Sequence, residues 1–452
     1  MAGGMTASQA LLLSMASIPD RAKAAVDVQQ VIDGAAGRLN SADPVVTILT
    51  LLDSGASAWW TPPPASLVFP RDHGLHLGCA PEWYWLFCNL EVAGSKGARK
   101  IGVVACLERY RAVAPAVQAQ AGWSDEAAQL VTSHAAVILA GPQGRRIVTR
   151  RPNVVWPPLG GETVMTADPF VFACGPDSLT GPVDILPLRL SVDDRVDGGE
   201  DLILDLTLST DMPARHAFFR QGDDGVTPPP RAGIYYSWPQ LRVAGTVTAA
   251  GETHAVSGTG WIDHQMMGPT IPDFGPVTAP PPVWTPAPGI AGWSLCDLNF
   301  DNGEALVAVG FQAGPMLPQL PAPYGFHLRR EGEKWKKTPV SGVIAMDRFL
   351  PLAANVMLPV AWNCAVASAP AAGVAIEVDA APWYVDGSFL AYNQSIMAET
   401  PVDVVLSPAA SSGSAGPPVS FLGRGYCESV GYEPPAAYMA RALAYLAASG
   451  RG

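Results

Sequence analysis

Residues 201–208 read Asp-Leu-Ile-Leu-Asp-Leu-Thr-Leu, apolar at every even position and mostly polar at the odd ones. Successive side chains of a strand point to opposite faces, so this run predicts an antiparallel strand with one face on a core and the other toward water. Similar short apolar or alternating runs cover Trp83–Val92, Lys100–Leu107, Ala135–Leu139, Gly233–Ser237, Gln240–Thr248, His254–Asp263, Gly292–Phe300 and Glu304–Gln312. Others follow at Gly325–Arg329, Val340–Ala345, Trp362–Ala365, Val374–Val378, Trp383–Leu390 and Gly423–Gly431. Gly, Pro and Asp clusters separate the runs, and Asp301-Asn302-Gly303 is a hairpin turn signal. The texture is mainly β, with sheets curved around a core.

The ends differ. Leu11, Leu12, Leu13, Met15, Ala22, Ala25, Val26, Val31 and Ile32 recur at mixed three and four spacing up to Gly34, a second helical piece runs over Asp43–Leu52, and Pro62-Pro63-Pro64 stops it. Pro435–Ala448 is Ala-rich and predicts a closing helix. Thr270–Pro288 carries too many prolines for a central strand and reads as a linker or a loop over a site mouth, and Ser407–Pro418 reads as an exposed loop. The expected domains are therefore a helical extension over 1–62, a β domain over 63–270, and a second β domain with its helix over 271–452.

Composition narrows the function classes. With 28 Lys and Arg against 40 Asp and Glu, a net charge of −12, the 452-residue chain has no basic surface to neutralise phosphates, so nucleic acid is not an expected partner. The 48% hydrophobic content argues for a folded chain. No apolar stretch is long enough to predict a membrane-spanning helix. The first residues lack the cationic region of a signal peptide, which points to the cytoplasm rather than secretion and leaves peripheral membrane attachment open. Seven scattered cysteines predict buried thiols rather than a zinc site.

Two clusters stand out. Phe69-Pro70-Arg71-Asp72-His73-Gly74-Leu75-His76 leads into Glu82-Trp83-Tyr84-Trp85, which suggests aromatic walls that raise the pKa of Glu82, or else a strand start whose Glu accepts hydrogen bonds. In Trp261-Ile262-Asp263-His264, alternation puts Trp261 and Asp263 on one face and His264 on the other. The indole marks the apolar side, so Asp263 is expected inside a barrel, with a raised pKa suited to protonating an alkene or carbonyl. Tyr235-Tyr236-Ser237-Trp238-Pro239-Gln240 offers phenol, indole and amide groups for a ligand or for core packing, and Tyr426 and Glu428 share a face near the end. No phosphate-binding loop or Gly-x-Ser-x-Gly elbow is present, and His73 and His76 lack a suitably spaced third metal ligand nearby.

Taken in order, these segments resemble the hydroxyneurosporene synthase and AttH-like family, tandem lipocalin-type proteins that include carotenoid 1,2-hydratases. The resemblance rests on Pro70–His76 with Glu82–Trp85, Ser133-His134-Ala135, Gln221–Gly225, Tyr235–Leu241, Trp261–Met266 and Gly423–Tyr432. It implies two tandem lipocalin-like antiparallel β-barrels whose interior can house an apolar ligand. It also implies a polyene-protonating role for Asp263. Family relatives serve as hydratases or as pericyclases of the Diels-Alderase type, so the reaction stays open. Two departures matter: Glu-Trp-Tyr-Trp exchanges the last two rings of the family's Glu-Trp-Trp-Tyr, and Gln265-Met266 replaces Glu-Trp.

The leading expectation is a cofactor-independent and metal-independent enzyme for a hydrophobic polyene, isoprenoid or polyketide-like molecule, acting by hydration, cyclisation or isomerisation. Asp263 is its general acid, with Glu82, Tyr236 and His264 orienting substrate or water. Trp83, Tyr84, Trp85, Trp238, Gln240, Trp261, Trp293 and Tyr426 are expected to contact the ligand. A pericyclase acting by confinement and a non-catalytic carrier are the alternatives. The extension over 1–62 is a candidate for covering a pocket mouth, self-association or delivery.

Overall fold

The computed structural model describes Thr61, Pro64 and residues 66–79, 82–95, 99–111, 115–141, 144–149, 153–194, 201–211, 219–220, 234–266, 270–271, 275–276, 292–312, 324–332, 334–353, 356–368, 375–382, 389–390, 396–408 and 420–430. The expected helices over 1–62 and Pro435–Ala448, and most of Thr270–Pro288, lie outside the described residues, as do the Gln221–Gly225 segment and most of Ser407–Pro418. Among the described residues, helix is confined to one short element, Pro115–Ala121, and two single 3-10 turns. None is long and apolar enough to cross a membrane.

The described residues build two large antiparallel sheets and a separate two-stranded pair, Thr270–Ile271 with Gly275–Pro276. The first contains β1 (Glu82–Val92), β2 (Lys100–Arg111), β3 (Gln129–Gly141), β4 (Gly144–Thr149), β5 (Thr163–Ala167), β6 (Phe170–Cys174), β7 (Asp177–Gly181), β8 (Leu188–Asp194), β9 (Leu202–Ser209), β10 (Ile234–Ala249) and β11 (Glu252–Met266). Their order is β4-β3-β2-β1-β11-β10-β9-β8-β7-β6-β5, with short strands Asn153–Val155 on β3 and Phe219–Arg220 on β10. The second sheet contains β12 (Gly292–Phe300), β13 (Ala305–Gln312), β14 (Tyr324–Glu331), β15 (Lys334–Ala353), β16 (Val356–Ser368), β17 (Ala375–Pro382), β18 (Ile396–Pro408) and β19 (Phe421–Val430). It runs β17-β16-β15-β14-β13-β12-β19-β18, and β18 also pairs with β17, so its pairing returns on itself as a barrel does. The described pairings of the first sheet stay open, so only the second part of the expected tandem arrangement has a barrel's pairing.

The alternation at residues 201–208 appears as expected. Leu202, Leu204, Leu206 and Leu208 are buried on one face of β9 while Thr207 is exposed on the other. Each such leucine contributes roughly 1.5–3 kcal/mol by leaving water. The two runs expected at Gly233–Ser237 and Gln240–Thr248 are instead one strand, β10, interrupted by a register shift between Trp238 and Leu241 where Gln240 takes a positive φ of 56°. A bulge keeps the ladder running through what reads as a break.

β1 is buried on both faces, and the reason positions the site. One face, carrying Glu82, Tyr84, Leu86 and Cys88, lines the interior of the first sheet, where Tyr84 lies edge-on to Phe170 of β6. The other face packs on the second sheet: the Phe87 ring lies 4.9 Å from Tyr426 and Asn89 Nδ2 donates to Gly425 O at 3.1 Å. Arg424–Glu91 and Lys100–Asp403 ion pairs flank this seam. Gln240 joins the sheets as well, its Nε2 donating to Phe300 O at 3.0 Å and Glu304 O at 2.6 Å.

Candidate functional site

On the interior face, the Pro70–His76 segment folds into a 3-10 turn over Arg71–His73 that lays its side chains against β1, β10 and β11. Glu82, at the start of β1, is the hub. Arg109 Nε of β2 donates to Glu82 Oε2 at 2.9 Å, His76 backbone N donates to the same oxygen at 2.7 Å, and the rings of His76 and His264 each reach Oε1 at 2.9 Å. Arg109 also donates to Cys79 O at 2.7 Å and Gln129 Oε1 at 3.1 Å. The far nitrogen of His264 lies 2.9 Å from Tyr236 Oη, which lies 2.8 Å from His73 Nδ1 and 3.1 Å from Tyr84 Oη.

Proton directions follow along this chain. Glu82 accepts from His264 Nε2–H, which leaves His264 Nδ1 to accept from the Tyr236 hydroxyl and His73 Nδ1–H to donate to Tyr236 Oη. Burial alone would raise the Glu82 pKa, but the Arg109 charge and the hydrogen bonds from His264 and His76 outweigh it and hold the carboxyl well below its usual range. The expectation of a raised Glu82 is therefore overturned: it is a saturated carboxylate with no proton to give. Burial, with the neighbouring His264, pushes His73 down to about 3, and burial raises both Tyr84 and Tyr236 well above the phenol range.

Asp263 lies on the opposite face of β11. As alternation requires, it shares that face with Trp261, whose indole Nε1 donates to Asp263 Oδ1 at 2.9 Å. The Ser237 hydroxyl donates to the same oxygen. The interior position expected for Asp263 is corrected: strand alternation gives the interior of the first sheet to His264 and turns Asp263 toward the second sheet, where it meets Asp297 of β12 in a hydrogen bond. Burial raises Asp263 to about 6 against the hydrogen bonds from Ser237, Trp261 and Asp297. Burial, then the charges of Asp263 and Glu428, push Asp297 well above the carboxyl range. The pair thus holds a proton near neutral pH, with Asp297 donating to Asp263.

The expected site residues consequently divide. Glu82, Tyr84, Tyr236, Trp238 and His264 lie together inside the first sheet, and the Trp238 ring packs 4.9 Å from His73. Trp83, Trp85, Trp261, Asp263 and Tyr426 are on the intersheet side. Tyr426 Oη donates to Val103 O at 3.2 Å and Gln240 bridges the sheets, so both have structural partners. Trp293 is on β12, but its side chain lies outside the described residues. Among the described residues no three His, Cys, Asp or Glu side chains converge as metal ligands. The buried cysteines at 79, 88, 106, 174, 296 and 427 form no disulfide among the described residues.

Three residues escaped sequence reasoning: Arg109, Asp297 and Glu108. Glu108-Arg109 interrupts the apolar run of β2, and Asp297 and Asn299 put two polar groups on one face of β12, so charge inside a strand was the available signal. Burial raises Glu108 to about 8, opposed by a hydrogen bond from Tyr110.

The molecule is an antiparallel two-sheet β protein with one polar chain sealed inside the first sheet and a buried carboxyl pair between the sheets. The chain belongs to the AttH-like family, whose model matches residues 61–382. A crystal structure assigned to AttH from Nitrosomonas europaea has a TM-score of 0.56 at 21% identity, over 83% of this chain and 99% of that one, and shares the fold. Kievitone hydratase from Nectria haematococca (12% identity, TM-score 0.48, 82% and 95% covered) and CghA with Sch210972 (12%, 0.39, 83% and 97%) also align. No curated protein shows significant sequence similarity to the chain.

Proposed function

We propose that the protein is a cofactor-independent enzyme that holds a hydrophobic polyene, isoprenoid or polyketide-like molecule against the intersheet face and acts on it by acid-assisted hydration, cyclisation or isomerisation. The observation that carries this reading is the buried Asp263–Asp297 pair, which keeps a proton near neutral pH beside the Trp261 indole. In hydration, the alkene π pair takes the carboxyl proton, water adds to the carbocation, and the added water returns a proton to the carboxylate. In cyclisation, a second alkene attacks the cation and the proton is lost to the same carboxylate. Trp83 and Trp85 on the same side supply an aromatic surface that favours a second reading, a pericyclase that confines a reactive conformer.

The deciding experiment is mass spectrometry of the apolar molecule that copurifies with the full chain from its native host, before and after incubation in water. A gain of one water identifies hydration, and unchanged mass with a new ring identifies cyclisation. Recovery of an unaltered ligand would make the protein a carrier and reject the enzymatic reading.

A further inference from the structure

The outer face of β1, β2 and β3 carries three buried polar atoms with no hydrogen-bond partner among the described residues: Trp85 Nε1, Glu108 Oε2 and Thr132 Oγ1. Register brings them together. Trp83 of β1 is opposite Glu108 of β2, Glu108 is opposite Thr132 of β3, and Trp85 is diagonal to Glu108 across the β1–β2 pair. Glu108 and Thr132 are 2% and 0% exposed, so water in bulk does not supply what is missing. Native proteins leave few buried polar atoms unpaired, and three on one patch are a concentration that core packing does not explain. The surroundings are aromatic: Trp83 and Trp85 pack on Cys106, and His134 lies edge-on to Trp85 at 5.1 Å.

We propose that Trp85, Glu108 and Thr132 form a subsite for a carbonyl or hydroxyl oxygen at one end of the ligand. The ligand oxygen accepts from the Trp85 indole N–H and from the Glu108 carboxylic proton, with the Thr132 hydroxyl as a third donor. Burial favours the neutral form of Glu108, which makes it a donor at neutral pH rather than an anion that would repel such an oxygen. This deepens the proposed function and rests on its intersheet ligand. Two strand spacings and two residues of rise separate Glu108 from Asp263, roughly 12 Å between their backbones. The substrate class is therefore an apolar molecule with an oxygen-bearing head about that far from its reacting double bond, rather than a pure hydrocarbon.

The test measures binding of two probes to the full chain by calorimetry: β-ionone, a conjugated ketone, and the matching hydrocarbon in which two hydrogens replace the carbonyl oxygen. Wild type is expected to bind the ketone roughly tenfold more tightly, about 1.4 kcal/mol. Trp85→Phe and Glu108→Leu should each reduce the ratio of ketone to hydrocarbon affinity, and Glu108→Gln, which keeps an N–H donor, should restore part of it. Equal affinity for the two probes in wild type, or a preference that survives both variants, overturns the subsite but leaves the proposed intersheet ligand standing. Failure of wild type to bind either probe overturns the proposed intersheet ligand and the subsite with it. If Glu108→Leu unfolds the chain, Trp85→Phe and Glu108→Gln decide the matter alone.

Discussion

Asp263 and His264 are neighbours in sequence, yet they belong to different environments: His264 Nε2 lies 2.9 Å from Glu82 Oε1 inside the first sheet, while Asp263 takes the Trp261 indole hydrogen bond on the side facing Asp297. One strand thus separates a saturated polar chain from a carboxyl pair that still holds a proton. Any mechanism that joins the two side chains in one reacting centre is excluded by that geometry.

The Glu82–Arg109 pair is fully buried, with both side chains 0% exposed. Removing one partner strands the other charge, so Arg109→Met should destabilise the protein by about 3–5 kcal/mol, and adding Glu82→Gln should recover part of the loss. Urea denaturation of the two single variants and the double variant reads this directly. Additive losses would show that the pair is not coupled.

His73 is held neutral, with its pKa pushed down to about 3. An unfolded histidine takes a proton near 6.5, so between these values the unfolded state binds more protons and stability falls as pH drops. His73→Asn should flatten the acid side of the stability profile between about pH 6.5 and 3, while costing something at pH 7 through the weakened bond to Tyr236. Urea midpoints across that range would test it, and an unchanged slope would place the acid sensitivity elsewhere.

Asp263 and Asp297 act with the opposite sign. Folded Asp263 keeps its proton to about pH 6, whereas an unfolded Asp loses it near 3.9. The folded state binds more protons in that window, so this contribution to stability declines as pH rises. With the copurified ligand as substrate, turnover should likewise decline on the alkaline side, and Asp263→Asn or Asp297→Asn should lower it by a factor of about 100 or more. A pericyclase would keep most of its rate in both variants and lose it on Trp261→Ala.

Gly102 marks where the sheets meet. A Cβ there would come within 2.7 Å of Tyr426 Oη and 3.0 Å of Pro401 Cγ. Tyr426 is pinned by its bond to Val103 O, so Gly102→Ala should push the sheets apart at a cost of about 1–3 kcal/mol. Thermal unfolding would measure it, and a stability change near zero would show that the seam yields freely.

Much of the fold is legible in local pattern. The even-numbered leucines of β9, the Asn302-Gly303 turn and the shared face of Trp261 and Asp263 all follow from period-2 alternation and turn chemistry, which act over a few residues. The join of Tyr235 to Leu241 into one strand was not legible, because a bulge at Gln240 has the same local signature as a strand end.

Local residue pattern establishes that the chain is mainly β, that it carries the segments of the AttH-like family in order, and that Asp263 and His264 point apart. Which face is which follows from packing between strands and sheets. Arg109 is 27 positions from Glu82 and Asp297 is 34 from Asp263, so the groups that neutralise one carboxyl and protonate the other come from different strands. Charge state in a buried site depends on neighbours across the sheet, and alternation along one strand carries no information about them.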